Sequence, residues 1–252
     1  MINDKPVMTA EELEQKLQEL WVLEEDLKSY VLDEPARQVP TMTSVVEKLS
    51  PLTFINKDDE IISCSLSQLE LKVAGCTRCK LATTRRNAVV GEGVVPAEVM
   101  VIGEGPGADE DATGKPFVGK AGQYLDRWLA SISLSRDKNV YIANIVKCRP
   151  PGNRDPESDE VSSCMPYLKR QIELIRPHAI LCLGRIAAHN LLGNTDTLHQ
   201  LRNRWFRYES VPLIVTYHPS AVLRNQSLRA PVWEDLKRLA NLLHIELPGK
   251  AR

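Results

Sequence analysis

The sequence predicts an α/β domain in three layers, with a central four-stranded, mostly parallel sheet covered by helices on both faces. Four short apolar runs carry the strands: 99–103 (VMVIG), 140–146 (VYIANIV), 179–183 (AILCL) and 213–217 (LIVTY). Helical patterns lie between them near 120–132, 158–175 and 185–192, and a further one follows at 231–244. Strands alternating with helices imply right-handed crossover units and a parallel sheet.

The elements ahead of this domain differ in character. Residues 9–32 read as one amphipathic helix, because Thr9 and Glu12 suit a capping box and Leu13, Leu17, Leu20, Leu27 and Val31 recur at helical spacing. Residues 33–62 contain Pro35, Pro40, Pro51 and the charged run Lys57-Asp58-Asp59-Glu60, which predicts a linker. A second helix start, Ser67 with Glu70, leads to Gly75 as a stop. The expected division is therefore 1–65, an N-terminal helix with its linker, and 66–252, the α/β body.

Ligands of such sheets bind outside the carboxyl ends of the strands. The residues there are Gly103-Glu104-Gly105-Pro106-Gly107, then Asn144 and Cys148, then Gly184-Arg185, then His218-Pro219-Ser220. Polar groups from four separate segments are expected to meet on one edge.

Charge and cysteine usage narrow the chemistry. The chain has 252 residues and a net charge of -1, but residues 1–69 carry 6 basic and 14 acidic side chains, leaving the remainder at +7. A basic body fits a polyanion, since neutralised phosphates release counterions, although ordinary solubility accounts for such a surface equally well. The N-terminus has no basic start with an apolar core, and no run of eighteen apolar residues occurs, so a soluble, cytoplasmic protein without membrane contact is expected. Six cysteines without a secretory signal favour metal ligation over disulfides.

Cys76-x2-Cys79, Cys148 and Cys164 are regularly spaced; the spacing serves Zn²⁺ or an iron–sulfur cluster, with a slight lean to zinc. Cys182, within an apolar strand, and Cys64 read as buried thiols. The stretch GEGPGADEDATGKPFVGKAG, residues 103–122, is rich in glycine but lacks the endings of a Walker or dinucleotide loop.

Taken together, the spaced cysteines, the GEGPG and PFVG loop, NIVKCRPPGNR, HPS and the tail LRAPVWEDLK resemble family 4 of the uracil-DNA glycosylases, which carry a [4Fe–4S] cluster. The resemblance runs from about Leu71 to Leu243. It implies a uracil-DNA glycosylase-like fold and hydrolysis of flipped-out deoxyuridine in base excision repair. It also implies that Cys76, Cys79, Cys148 and Cys164 hold the cluster, reversing the lean to zinc. Gly105, Glu110, Phe117, Asn144 and His218 are implied to contact uracil: Phe117 by stacking, Asn144 by its amide, Glu110 near C5, and His218 at O2. Glu104 is the candidate to orient water or offset sugar charge. The best-known uracil glycosylases carry Asp in that loop, so Asn153 is the second candidate. Arg149, Arg154, Arg185, Ser220 and Arg224 are expected at DNA, with Leu223 or Arg224 filling the gap left by the base.

Two other readings compete with this one. A uracil-DNA-binding protein without turnover would carry an inserted basic loop with a His, whereas residues 148–164 read CRPPGNRDPESDEVSSC. A polymerase accessory module would use the N-terminal helix for a protein partner. The expected partner is uracil-containing DNA, single- or double-stranded, bound by a monomer.

Overall fold

The computed structural model describes residues 58–247, so the expected helix over 9–32 lies outside the described residues. The expected linker does not stay irregular to its end: α1, Asp59–Ile62, is a short helix that buries Ile61. The Arg170 guanidinium donates twice to the Cys64 carbonyl, at 2.9 and 2.8 Å, which fastens this entry to the body. The packed body therefore begins before residue 65. Cys64 and Cys182 are buried and free, as their apolar settings imply.

Helix α2, Leu66–Ala74, starts earlier than Ser67 and Glu70 suggest. Ser65 is the cap, its Oγ accepting from Gln68 N–H while Gln68 Oε1 accepts from Ser65 N–H. Glutamine closes such a box as well as glutamate does. Gly75 ends the helix as expected.

The sheet has six strands rather than four. They are β1 (Glu92–Gly93), β2 (Val99–Gly103), β3 (Val140–Asn144), β4 (Ala179–Leu183), β5 (Phe206–Tyr208) and β6 (Val211–Thr216), in the order β1-β3-β2-β4-β6-β5. The four expected strands form the parallel centre, and β1 and β5 add antiparallel edges. Strands of two and three residues are too short to show a hydrophobic period.

Helices α3 (Ala108–Thr113), α4 (Lys120–Ser131), α5 (Ser158–Ile175), α6 (Arg185–Leu192), α7 (Leu198–Leu201), α8 (Pro219–Arg224) and α9 (Arg229–Leu242) connect and follow the strands. Successive strand residues point to opposite faces, so each central strand feeds two cores. Val99, Val101, Leu181 and Ile214 pack with Leu125 and Leu129 of α4 and Leu236 and Leu239 of α9. Met100, Ile102, Ile180 and Val215 pack with Leu168 and Ile172 of α5, Ala187 of α6 and Leu69 of α2. Burying one such leucine or isoleucine contributes roughly 1.5–3 kcal/mol, which is why the strands are apolar on both faces.

From β2 the chain crosses to β3 on one side and then to β4 on the other. That reversal opens a crevice beyond the carboxyl end of β2.

Candidate active site

A cleft of about 630 Å³ occupies this crevice, lined by Glu104, Gly105, Glu110, Phe117, Asn144, Asn153, Arg154, Arg185, His218, Ser220 and Arg224 among others. Nearly all the residues expected at the site are thus brought together.

The floor is built around Gly103, paired in register with Asn144. A Cβ on Gly103 would stand 2.5 Å from Asn144 Oδ1 and 2.6 Å from Phe117 Cζ. Only glycine lets the amide and the ring close over the strand end. Asn144 is 1% exposed, and among the described residues its Oδ1 has no hydrogen-bond partner. A buried unpaired carbonyl costs about 1–3 kcal/mol, so this atom is poised for a donor from outside the chain.

Phe117 is held in a left-handed backbone conformation, φ 52°. Three contacts maintain it. Arg136 donates to the carbonyls of Pro116 and Phe117, each at 3.0 Å. Gly122 of α4 sits so close that a Cβ would lie 1.8 Å from the Phe117 carbonyl oxygen. Glu110 Oε1 accepts the N–H groups of Val118 and Gly119, both at 2.9 Å, and its Oε2 accepts Gly107 N–H at 3.0 Å. Although it lines the cleft, Glu110 therefore uses both carboxylate oxygens to join the two loops that present Phe117. Nothing in the sequence distinguishes that latch from a free pocket carboxylate.

His218 caps α8 at the end of β6. Its Nδ1 accepts Ser220 N–H at 3.2 Å and lies 2.8 Å from Ser220 Oγ, and its ring centroid is 5.6 Å from that of Phe117. An Nδ1 that accepts leaves the proton on Nε2, making that nitrogen a donor. Burial, reinforced by Arg224, lowers its pKa to about 4, so the ring is neutral at physiological pH.

Glu104 is shifted the other way. Burial first and the nearby Asp155 carboxylate second raise its pKa to about 7, with Arg185 opposing. Arg185 also donates to Asp155 Oδ2 at 3.1 Å. Asn153, φ 55°, has its Oδ1 engaged by Arg149 Nε at 2.7 Å.

The expected DNA-facing residues divide. Ser220, Arg185 and Arg224 line the cleft, whereas Leu223 stands 40% exposed on α8 outside its lining, and Arg149 reaches it only through Asn153. Arg154 lines the cleft but is committed elsewhere, donating to both oxygens of the fully buried Glu160 at 2.8 and 2.6 Å. Glu160 in turn accepts Glu157 N–H at 2.7 Å, and Lys80, next to Cys79, pairs with Glu157.

Cys76, Cys79, Cys148 and Cys164 line one small second cavity together with Arg85, Lys147 and Tyr167. Nitrogen donors point at three of the sulfurs: Arg85 to Cys148 at 3.0 Å, Lys147 N–H to Cys164 at 3.2 Å, and Arg78 N–H to Cys76 at 3.5 Å. Burial pushes the Cys164 thiol up to about 12 and raises Cys148 as well, so a metal here must displace protons. Among the described residues, no three His, Cys, Asp or Glu converge as they would on a single metal ion.

A neutral imidazole, a buried amide oxygen without a partner among the described residues and an aromatic ring thus line one cleft at the carboxyl ends of the parallel strands. Comparison with known proteins gives the class. A model of the uracil DNA glycosylase superfamily matches residues 90–237. The type-4 uracil-DNA glycosylase of Sulfurisphaera tokodaii is 44% identical over 187 residues, covering 71% of this chain and 84% of that protein. That of Archaeoglobus fulgidus is 43% identical over 186 residues, 71% and 93% of the two chains. That of Thermotoga maritima is 41% identical over 181 residues, 69% and 93%. The chain belongs to the uracil DNA glycosylase superfamily, and within it to the type-4 family.

Proposed function

We propose that the chain is a uracil-DNA glycosylase of base excision repair, hydrolysing the N-glycosidic bond of flipped-out deoxyuridine and leaving an abasic site. The observation that carries this is the buried, partnerless Asn144 Oδ1 in a cleft shared with Phe117 and with a His218 whose Nδ1 accepts and whose Nε2 therefore donates.

Uracil presents N3–H and O4 where cytosine presents a bare N3 and an amine. The buried Asn144 Oδ1 accepts N3–H and its amide N–H meets O4; cytosine would leave both mismatched. Sites that hydrogen-bond a substrate group reject analogues lacking it, because their buried atoms are left unpaired. Phe117 stacks on the base.

As the C1′–N1 bond breaks, its electron pair stays with uracil and positive charge grows on the sugar. His218 Nε2–H donates to O2 and stabilises that anion as a neutral imidazole. Glu104, ionised as pH rises through about 7, orients water toward C1′ and accepts its proton as the new C–O bond forms. Asn153 is less suited to that task, since Arg149 already occupies its Oδ1.

Cys76, Cys79, Cys148 and Cys164 would hold a [4Fe–4S] cluster, in keeping with their donor set and the N–H groups aimed at their sulfurs. Bound there, it would supply a covalent tie between the segment entering the body, the loop after β3 and α5. The Arg154–Glu160 pair then steadies the same loop from the cleft side. Arg185, Ser220, Arg224 and the exposed Leu223 form the DNA-facing rim, with Leu223 as the wedge. The catalytic body is residues 66–252 with the α1 segment added, acting as a monomer, and the N-terminal arm is a protein-docking element.

The test is incubation of the full chain with uracil-containing and control oligonucleotides, followed by alkaline scission at abasic sites. Scission confined to the uracil position is expected. Strand breakage no greater than in the control would end the reading.

A further inference from the structure

Lys147 is a long cation with almost no exposed surface that lines the four-cysteine cavity and reaches the backbone of Asn144, a residue of the cleft. The base-reading mechanism does not use it. Its ammonium donates to the Asn144 carbonyl at 2.9 Å and to Gln171 Oε1 at 2.5 Å. Its main-chain N–H donates to Cys164 Sγ at 3.2 Å, and its side chain lies among the residues around the four cysteines. Gln171 is fixed in turn, its Nε2 donating to the Val90 carbonyl at 2.9 Å and to Tyr141 Oη at 3.4 Å. No carboxylate hydrogen-bonds or pairs with the Lys147 ammonium among the described residues. A buried cation normally requires a negative partner. Four thiolates around a cluster provide net negative charge on that side.

We infer that Lys147 is a positioning residue with two attachments: it compensates the charge of the four-cysteine site and holds the backbone of Asn144, so that the two sites are mechanically and electrostatically joined. This rests on the cluster reading above. The chain leaves β3 at Asn144 and reaches the ligand Cys148 four residues later, with Lys147 folding back across that turn. Among the described residues nothing hydrogen-bonds Asn144 Oδ1, so its aim depends on the backbone that carries it together with the packing at Gly103. Removing the ammonium frees that carbonyl and also removes a positive charge beside the sulfurs. The first change loosens base reading. The second disfavours adding an electron to the cluster, since net charge and hydrogen bonding set such potentials.

The experiment compares anaerobically purified full-length wild type, Lys147→Met and Lys147→Arg. It records iron per chain, the midpoint potential of the cluster by electrode titration, single-turnover uracil excision, and affinity for DNA carrying an uncleavable uracil analogue. For Lys147→Met we expect retained iron, a lower potential, and excision slowed about 10–100-fold, the usual scale for losing a partner one shell away from a metal site. Lys147→Arg keeps the charge and should keep the potential. Wild-type potential in iron-loaded Lys147→Met, or a shifted potential with wild-type excision and analogue affinity, would overturn the inference while leaving the cluster reading intact. An iron-free wild-type chain would instead sink the cluster reading and this inference with it. If Lys147→Met does not fold, Gln171→Met removes one anchor of the ammonium; slowed excision by an iron-loaded protein supports the role, and wild-type excision contradicts it.

Discussion

Replacing His218 with alanine deletes the donor assigned to uracil O2 while leaving the rest of the cleft in place. The ring is held by Ser220 N–H at 3.2 Å, by Ser220 Oγ at 2.8 Å and against Phe117 at 5.6 Å, so it is preorganised before substrate arrives. A single preorganised donor to a developing oxyanion contributes roughly 3–4 kcal/mol, or about 10²–10³ in rate. Single-turnover cleavage of a uracil oligonucleotide under enzyme excess should therefore fall by that factor. Binding to DNA carrying an uncleavable analogue that retains O2 should weaken far less, because the hydrogen bond strengthens only as charge develops. The loss should be constant above about pH 5, since the ring titrates near 4. Ser220→Ala is the graded control: it removes one contact to Nδ1 but keeps the backbone donor, which costs about 1 kcal/mol, roughly fivefold. A His218→Ala protein that cleaves at the wild-type rate but binds poorly would refute the reasoning and leave the residue as a DNA-contacting turn.

Other expectations follow from the same geometry. Excision should rise with pH through about 7, as Glu104 ionises, with no second limb near 6; a flat profile in single-turnover assays would remove Glu104 from water activation. The folded state raises the Glu104 pKa above its unfolded value, so that contribution to stability is complete below about pH 4.5 and is lost as pH passes 7. Glu104→Gln should accordingly gain in Tm relative to wild type at pH 8 compared with pH 5, measurable by calorimetry. The purified chain should be brown with four irons, and Cys148→Ser should lose iron and Tm together; stoichiometric zinc without iron in an anaerobic preparation would contradict this. Phe117→Ala, unlike His218→Ala, should weaken analogue binding as well as cleavage, because stacking is present in the ground state, with about 1–3 kcal/mol lost.

The parallel centre of the sheet was legible because each strand is apolar on both faces and flanked by helical spacing. The carboxyl-end rule then singled out Glu104, Asn144 and His218 without any knowledge of side-chain packing. The edges were not legible: Glu92–Gly93 and Phe206–Tyr208 owe their strand state to pairing with β3 and β6, a tertiary cause invisible in two or three residues. The start of α2 is not legible, because Ser65 and Ser67 both suit a cap and only the structure shows that Gln68 answers Ser65. Side-chain commitments were the least legible. Glu110 and Arg154 look like free pocket charges in the sequence, yet one is consumed by three backbone N–H groups and the other by Glu160, 0% exposed within α5. Lys147 gave no signal, since a lysine beside a cysteine is ordinarily solvated.

Under the proposed function, the cleft recognises uracil through Asn144 and releases it. The most direct measurement is the free base liberated from matched oligonucleotides containing uracil or cytosine, identified by mass, for wild type and Asn144→Asp. Wild type should release uracil and no cytosine. Asn144→Asp replaces the amide donor with a carboxylate that accepts from the cytosine amine, so uracil release should fall and cytosine release should become detectable. Failure of wild type to liberate uracil, or a variant with unchanged uracil selectivity, would contradict the account.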